Sequence, residues 1–456
     1  MLLALNCGSS SIKFKLFQLS DLFVLISGSA TRVDVGGQTP VLKVVVHHRD
    51  ARHEECEREE EKEHTEYDAV FQRVIEHIET SVSKHFQSSS DGSRPRDVIK
   101  IVAHRIVHGG TETQPMAIWP GHEQSLTKLD KLGQFAPLHN HRAVEVVKSC
   151  LQHLPESRQV LLFDTLFHQT IQPHIYTYPL TAPESAPFIP LRKYGAHGLS
   201  YASVLSSMSS YLGKPASHIN IIVAHLGSGA SVCAIRDGKS LDTSMGLTPL
   251  DGLPGGTRSG SVDPALIFHH TKDAANDADF KGTNLSKGEM VLNKEGGFQA
   301  LSGTSDFGVI SSRATSSRVA GSEGPSQAER DAAKLTYDLF IDRILNYIGA
   351  YVFKILGGSP SGSPNPEGRS LDGIVFSGGI GEKGWQLRQD LGAYFAWLGC
   401  WVDNARNEAV GTEKDENGKE KVVYEISKEG SKVKLFVCMT DEETQCAITA
   451  KELKID

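Results

Sequence analysis

Two stretches of this chain share one pattern, and that repetition limits the fold more than any other feature. Near the start, the apolar run Leu2–Leu5 gives way to small and polar residues over Asn6–Ser11. Ile12, Phe14 and Leu16 then alternate with Lys13, Lys15 and Phe17. An alternation of period two marks a half-buried strand. Far downstream, Asn220–Ala224 runs into His225-Leu226-Gly227-Ser228-Gly229 and emerges as Ser231–Ile235, closed by a turn at Asp237-Gly238. A strand, a glycine-serine turn and a second strand, occurring twice, predict two related halves. The halves share little residue identity, so the duplication is one of pattern.

Further elements fit around these two hairpins. Phe23–Ile26 and Val41–Val46 are β-rich, and Val98–Val102 returns to strand after the polar loop Ser88–Arg96. Thr65-Glu66-Tyr67-Asp68 has the form of a capping box, and Phe71, Val74, Ile75, Ile78 and Val82 follow at helical spacing. Tyr337, Ile341, Ile344, Ile348, Tyr351 and Ile355 trace one face of a long helix that ends at Gly357-Gly358. Ile374–Phe376 reads as a strand that feeds Ser377-Gly-Gly-Ile-Gly-Glu382. Three segments stand apart: the charge-dense Arg49–Glu66, read as a solvated insertion or exposed helix start; Ser359–Arg369, a flexible loop; and Gly411–Lys432, an exposed hairpin.

Composition removes several functions. With 456 residues the chain can hold two large domains or three ordinary ones. Lys plus Arg number 47 against 55 for Asp plus Glu, a net charge of −8, so there is no global basic footprint for nucleic acid. No apolar run approaches the roughly 18 residues of a membrane span, and the N-terminal run is too short for a signal peptide. The seven cysteines are scattered without a C-x-x-C pair, which indicates neither a disulfide framework nor a zinc ribbon. The expected setting is a reducing cytoplasm.

Chemistry is suggested by the turns. Asn6-Cys7-Gly8-Ser9-Ser10-Ser11-Ile12-Lys13 offers backbone N–H groups, hydroxyls and one Lys at a strand-to-strand turn, the makings of a phosphate cradle without a helix. The chain lacks a G-x-x-x-x-G-K-[ST] loop and a post-strand G-x-G-x-x-G, so neither P-loop nor dinucleotide binding is indicated. Leu226-Gly-Ser-Gly229 and Ser377-Gly-Gly-Ile-Gly-Glu382 also follow strands, and three such turns suggest a nucleotide cleft between the halves. Polar clusters at His104-Arg105-Ile-Val-His108, Pro137-Leu-His139-Asn140, Phe163-Asp164-Thr165, Tyr194-Gly-Ala-His197 and Gly256-Thr-Arg258 each have a bland reading as caps or solvated strand ends.

Taken in order, these segments resemble the acetate kinase family of the acetate and sugar kinase, Hsp70 and actin superfamily. The resemblance runs through Asn6–Lys13, His104–Gly110, Ala136–Asn140, Phe163–Thr170, Tyr194–Gly198, His225–Gly229, Asp242–Leu250, Gly256–Gly260, Gly379–Glu382 and Thr440–Glu443, almost the whole chain. It implies duplicated actin-like (ribonuclease H-like) α/β domains, each a mixed five-stranded sheet with flanking helices, over residues 1–165 plus 444–456 and 166–443. It implies reversible phosphoryl transfer between ATP and acetate, giving acetyl phosphate and ADP, with Mg²⁺ (or Mn²⁺) in a homodimer.

By the same resemblance, Arg105 and Arg258 would hold the acetate carboxylate and the moving phosphoryl, groups that a guanidinium fork fits. His197 would donate to an equatorial phosphoryl oxygen, His139 would support that region, and Asp164 would orient acetate or a metal-bound water. Asn6 and Glu442 would hold the metal, while Ser9, Ser11 and Lys13 would bind phosphate. Val107 and Leu138 would line a methyl pocket. Asp306, Phe307, Gly379 and Ile380 would border adenosine, with Ser228, Gly229 and Gly381 completing the nucleotide side. Acetate is ionised at neutral pH, since carboxyl pKa values lie near 4, so no general base is needed.

Some positions depart from the family pattern: Ser228 for Asn, Gly308 for Arg, Lys383 for Asn, Ala196 for Phe and Tyr201 for His. Most of these lie on or beside the nucleotide side, which opens pyrophosphate as an alternative donor. The bulkier adenosine-pocket residues of pyrophosphate-using relatives are absent, and Gly379-Ile380 keeps ATP favoured. Propionate is an alternative acceptor, because one methylene is worth only about 1–3 kcal/mol. A catalytically dead nucleotide-binding module is the reading from a different class. Retention of Arg105, Asp164, His197, Arg258 and Glu442 together argues against it.

Overall fold

Ile12, Phe14 and Leu16 alternate for the reason expected: they form the inward face of a strand at the heart of a sheet. The computed structural model describes residues 1–8, 11–34, 38–49, 55–60, 66–86, 95–119, 121, 124–135, 140–184, 187–280, 283–315, 324–357, 370–414 and 420–453. The chain divides into two units, Met1–Leu166 with Asp441–Asp456, and Phe167–Thr440.

In the first unit the described strands are β1 (Leu2–Cys7), β2 (Ser11–Phe17), β3 (Val24–Thr31), β4 (Val41–Val46), β5 (Glu55–Glu60), β6 (Ile101–Ile106), β7 (Met116–Ile118) and β8 (Arg158–Phe163). They make one sheet in the order β5-β4-β3-β2-β1-β6-β8-β7. β1 pairs antiparallel with β2 and parallel with β6, and β6 pairs parallel with β8. A central strand covered on both faces must be apolar throughout, which is why Leu2, Leu3, Ala4 and Leu5 are all buried. The Tyr67–His85 helix packs Val70, Phe71, Val74, Ile75, Ile78 and Val82 onto this sheet, each large side chain worth about 1.5–3 kcal/mol of burial.

The second unit holds β9 (Ile221–His225), β10 (Ser231–Arg236), β11 (Lys239–Thr243), a separate hairpin of β12 (Asp277–Phe280) and β13 (Thr283–Ser286), then β14 (Gly373–Ser377), β15 (Val423–Glu425) and β16 (Lys434–Cys438). The main sheet runs β11-β10-β9-β14-β16-β15. Its β9 pairs antiparallel with β10 and parallel with β14, and β14 pairs parallel with β16. Five strands therefore recur in the same order and sense in both units: β3-β2-β1-β6-β8 and β11-β10-β9-β14-β16. This is the duplicated α/β core expected from the repeated hairpins. The five-strand count is exceeded at the edges, by β4, β5 and β7 in one sheet and β15 in the other.

Other expectations need correction. Arg49–Glu66 contributes an edge strand, Glu55–Glu60, paired with β4 along its length; charged side chains suit an edge that must not recruit another chain. The helix after it is capped at Glu66 without a side-chain cap bond, and Thr65 lies outside the described residues. The strand read at Val98–Val102 begins only at Ile101, because Pro95–Val98 forms a 3₁₀ turn. Ser377–Glu382 is no open turn: Gly378–Lys383 is a short helix. Part of Gly411–Lys432 is the strand β15, whose Val423 and Tyr424 are buried against β16. The Gln327–Leu356 helix, started by a Ser326/Glu329 capping box, spends the whole Tyr337–Ile355 face on its own unit's core.

Candidate active site

Parallel pairing decides where the polar residues of the first unit meet. Because β1, β6 and β8 point the same way, their C-terminal ends lie side by side, where open α/β sheets bind ligands. Asn6 is at the end of β1, Arg105 at the end of β6 and Asp164 directly after β8. The Glu442–Glu452 helix, capped by Asp441, whose Oδ1 accepts from the Thr444 N–H at 2.9 Å, brings Glu442 and Glu443 to the same place.

Arg105 is the hub. Its Nη2 donates to Asp164 Oδ2 at 2.8 Å and its Nε to Oδ1 at 3.3 Å, a two-point grip on one carboxylate. Its Nη1 donates to Glu442 Oε2 at 2.8 Å and to Asn6 Oδ1 at 3.2 Å. The Asn6 amide nitrogen donates to Glu442 Oε2 at 2.6 Å and Glu443 Oε1 at 3.1 Å. Asp164 is 0% exposed, a position tolerable for a carboxylate only when it is paired and hydrogen-bonded. Burial alone would lower the Arg105 pKa, but Asp164 and Glu442 outweigh it and hold the guanidinium above its ordinary value. Burial first, then neighbouring Glu442, raises the Glu443 carboxyl, with Lys13 and Asn6 pulling the other way.

The adjoining turn is held from behind. Gly8 N–H donates to Ser11 O at 2.8 Å, and the Tyr67 hydroxyl lies 3.2 Å from the carbonyl oxygens of both Gly8 and Ser11. Lys13 is exposed and pairs with Asn6 across the hairpin, and Lys15 forms an ion pair with Asp441. Val107 is buried just past β6. Ser9, Leu138 and His139 lie outside the described residues.

The second unit gathers a different set. His197 caps the Gly198–Leu212 helix in the left-handed region, at φ 58°, a conformation that costs a non-glycine residue about 1–3 kcal/mol and persists only where neighbours enforce it. The peptide before it is pinned, since the buried His168 bonds Ala196 O through Nε2 at 2.9 Å and Ser240 Oγ through Nδ1 at 2.8 Å. Burial pulls the His168 pKa down to about 4, so the ring is neutral. His197 Nδ1 lies 2.8 Å from Ser231 Oγ, and its ring sits 4.6 Å from that of His225. A Cβ built on Gly229 would meet Arg258 Nη1 at 3.2 Å and His197 Nε2 at 3.7 Å. Glycine at 229 thus lets backbone, guanidinium and imidazole converge. Ser228 is exposed beside them, and its carbonyl accepts from Gly256 N–H at 2.9 Å.

The residues read as bordering adenosine divide. Gly379 is exposed, and a Cβ there would meet nothing within 4 Å. Ile380 is partly buried, and the Ile380 and Gly381 N–H groups donate to Leu226 O at 2.8 and 3.1 Å. Asp306 caps the Phe307–Thr315 helix through the N–H groups of Gly308 and Val309, at 2.8 and 3.2 Å. Phe307 is the exception: its ring is buried in the core and stacks on Tyr337 with centroids 5.7 Å apart. Only its backbone is left to face a ligand.

Two residues escaped the sequence reading. Glu443 stood in the quoted Thr440–Glu443 motif without a role, yet it shares Asn6 with Glu442. Arg388 is 1% exposed and donates to the carbonyls of Gly381 and Glu382, each at 2.8 Å, and to Asn407 Oδ1 and O at 2.7 and 2.8 Å. Nothing in its local sequence marks it, because a lone Arg in an amphipathic stretch normally reads as solvated.

A model of the acetokinase family matches residues 1–448. The chain is 45% identical over 451 residues to a probable acetate kinase of Cryptococcus neoformans, covering 99% of this chain and 97% of that relative. Among solved structures it is similar to a propionate kinase from Francisella tularensis, at 30% identity and a TM-score of 0.73, covering 99% of each chain. It is also similar to the acetate kinase of Porphyromonas gingivalis, at 29% identity and a TM-score of 0.72, covering 98% of each.

Proposed function

This chain belongs to the acetokinase family, and from that premise we propose how its residues divide the work of an acetate kinase. The enzyme is a phosphotransferase with a carboxyl group as acceptor, and it moves a phosphoryl group reversibly between ATP and acetate. One acetate oxygen forms a bond to the γ-phosphorus as the bond from that phosphorus to ADP breaks, in line, and no proton needs to move. What the protein supplies is position and charge.

Arg105 carries the reading. It sits at the C-terminal ends of the parallel strands and is gripped through two nitrogens by the buried Asp164. In this proposal Arg105 binds the acetate carboxylate, Asp164 fixes the guanidinium and the acetate orientation, and Val107 and Leu138 receive the methyl group. Arg258 and His197 neutralise the phosphoryl oxygens, with His139 in support. Ser9, Ser11, Lys13, Ser228 and Gly229 bind phosphates, while Asp306, Gly379, Ile380, Gly381 and the Phe307 backbone border adenosine. The open space around Gly379 favours ATP over pyrophosphate.

The donor chemistry at Asn6 and Glu442 fits Mg²⁺, a hard cation that takes one or two carboxylates and leaves its other positions to water and substrate phosphates. The carboxyl of Glu443, held up by burial beside Glu442, is a further oxygen that a cation there would stabilise. When bound, Mg²⁺ supplies charge neutralisation of the nucleotide phosphates. We also propose a homodimer to which the exposed Leu335 and Phe353 of the Gln327–Leu356 helix contribute. A cytoplasmic setting accords with seven free cysteines, and no described helix is long and apolar enough to cross a membrane.

The test is acetyl phosphate formation, trapped as the hydroxamate, from acetate and Mg²⁺ with ATP or pyrophosphate in parallel. Product with ATP is expected. Product only with pyrophosphate would mean that Ser228 and Gly308 have cost the chain its adenosine site, and silence with both would leave a dead module.

A further inference from the structure

Tyr201 enters the sequence only as a departure from the family pattern, and the mechanism above does not use it. It lies one helical turn beyond His197, fully buried, and its hydroxyl is hydrogen-bonded to Ser231 Oγ. The same Ser231 oxygen, also fully buried, contacts His197 Nδ1 at 2.8 Å. The other ring nitrogen, Nε2, lies 3.7 Å from where a Cβ on Gly229 would stand, a point that is 3.2 Å from Arg258 Nη1. The ring of His225 packs on that of His197 and places its own Nδ1 3.2 Å from Ser377 Oγ.

We propose that Tyr201, through Ser231, is a positioning residue that sets the tautomer of His197, holding the proton on Nε2. A neutral imidazole has one donor and one acceptor nitrogen, and the hydrogen bond at one nitrogen fixes the other. A phosphoryl oxygen beside Arg258 needs a donor, so Nε2 must carry the hydrogen and Nδ1 must accept. Ser231 has a single proton. If it donates that proton to Nδ1, its oxygen is free to accept from the Tyr201 phenol. In the order Tyr201 O–H to Ser231 Oγ, then Ser231 O–H to His197 Nδ1, each proton has an acceptor and Nε2–H points where the phosphoryl oxygens come. The reverse order would aim a bare lone pair at an anion. Tyr201 suits the first position because a phenol, with a pKa near 10, is a stronger donor than an aliphatic hydroxyl.

The inference rests on His197 acting as phosphoryl donor, and the experiment separates the two claims. Steady-state rates with acetate and MgATP are measured for Tyr201→Phe, Ser231→Ala, the double variant and His197→Gln, with thermal midpoints confirming that each is folded. Both single variants should lower kcat about tenfold, with KM for acetate and ATP within about twofold, because the lost donor acts in the transition state. The double variant should be no worse than Ser231→Ala, as members of one chain are not additive. ¹⁵N spectra of histidine-labelled protein should show His197 as the Nε2–H tautomer in the parent and a mixture in both single variants. If His197→Gln collapses the rate while Tyr201→Phe keeps kcat, or if the two losses multiply, the relay is overturned. If His197→Gln leaves the rate intact, the donor reading falls and the relay with it.

Discussion

Arg258 and Arg105 have the same side chain on different units of the chain. Arg105 is held by two carboxylates and an amide, so most of its donors are engaged within the protein. Arg258 stands in a glycine-rich loop, with Nη1 3.4 Å from Pro249 O and 3.2 Å from where a Cβ on Gly229 would stand. A guanidinium fork matches the oxygens of a phosphoryl group, which is the role proposed for Arg258. Arg258→Ala is therefore expected to lower kcat/KM by about 10³–10⁵, the scale of a transition-state arginine; a loss below tenfold in the hydroxamate assay would remove it from that role. Both arginines were singled out through the family resemblance, because the short polar motifs around them have a bland reading when taken one by one. Arg388 was not, for its partners are carbonyls, and the position of a carbonyl is a property of the folded backbone.

At the scale of elements, Gly378–Lys383 is the piece whose form the chain alone concealed. Three glycines in six residues read as a turn, since glycine weakens a helix interior by about 0.8–1 kcal/mol. Two outside supports offset this. Glu382 Oε1 accepts from Gly378 N–H and from the N–H and hydroxyl of Thr440, at 2.9–3.0 Å. Arg388 caps the last carbonyls of the helix, and burial, with no carboxylate paired to it among the described residues, lowers its pKa to about 10. Arg388→Met would strand those carbonyls, and unfolding in urea should register a loss of about 3–5 kcal/mol. Because the helix carries Gly379 and Ile380, the KM for ATP should rise more than that for acetate. Equal KM changes would reduce Arg388 to a staple.

For the whole molecule, acid is the informative stress. His104 in the first unit and His168 in the second are both buried, and burial lowers each pKa to about 4. Unfolded, each would titrate near 6.5. Between those values the unfolded chain binds more protons than the native one, so stability falls as pH drops through that window and the loss is complete below about 4. The slope approaches about 1.4 kcal/mol per pH unit for each ring. Urea unfolding at pH 7 and pH 5 should differ accordingly, and His104→Gln with His168→Gln should flatten the dependence. Equal midpoints at the two pH values would show that these rings are not held neutral.

The order of residues was enough to lay out the repeated strand-turn-strand frame, the apolar faces of its helices and the motifs that carry Arg105, Asp164, His197, Arg258 and Glu442. Period and residue chemistry are local, and local properties survive in a one-dimensional string. It took the fold to bring Asn6 within 2.6 Å of Glu442, 436 positions away, because that meeting depends on parallel strands ending in step and on the last helix returning to the first sheet. The fold also turned Phe307 into core, made an edge strand of a charged insertion and placed one serine hydroxyl between Tyr201 and His197. Each of these depends on which surfaces are left to be covered once the sheets have formed, and no window of sequence contains its own neighbours in space.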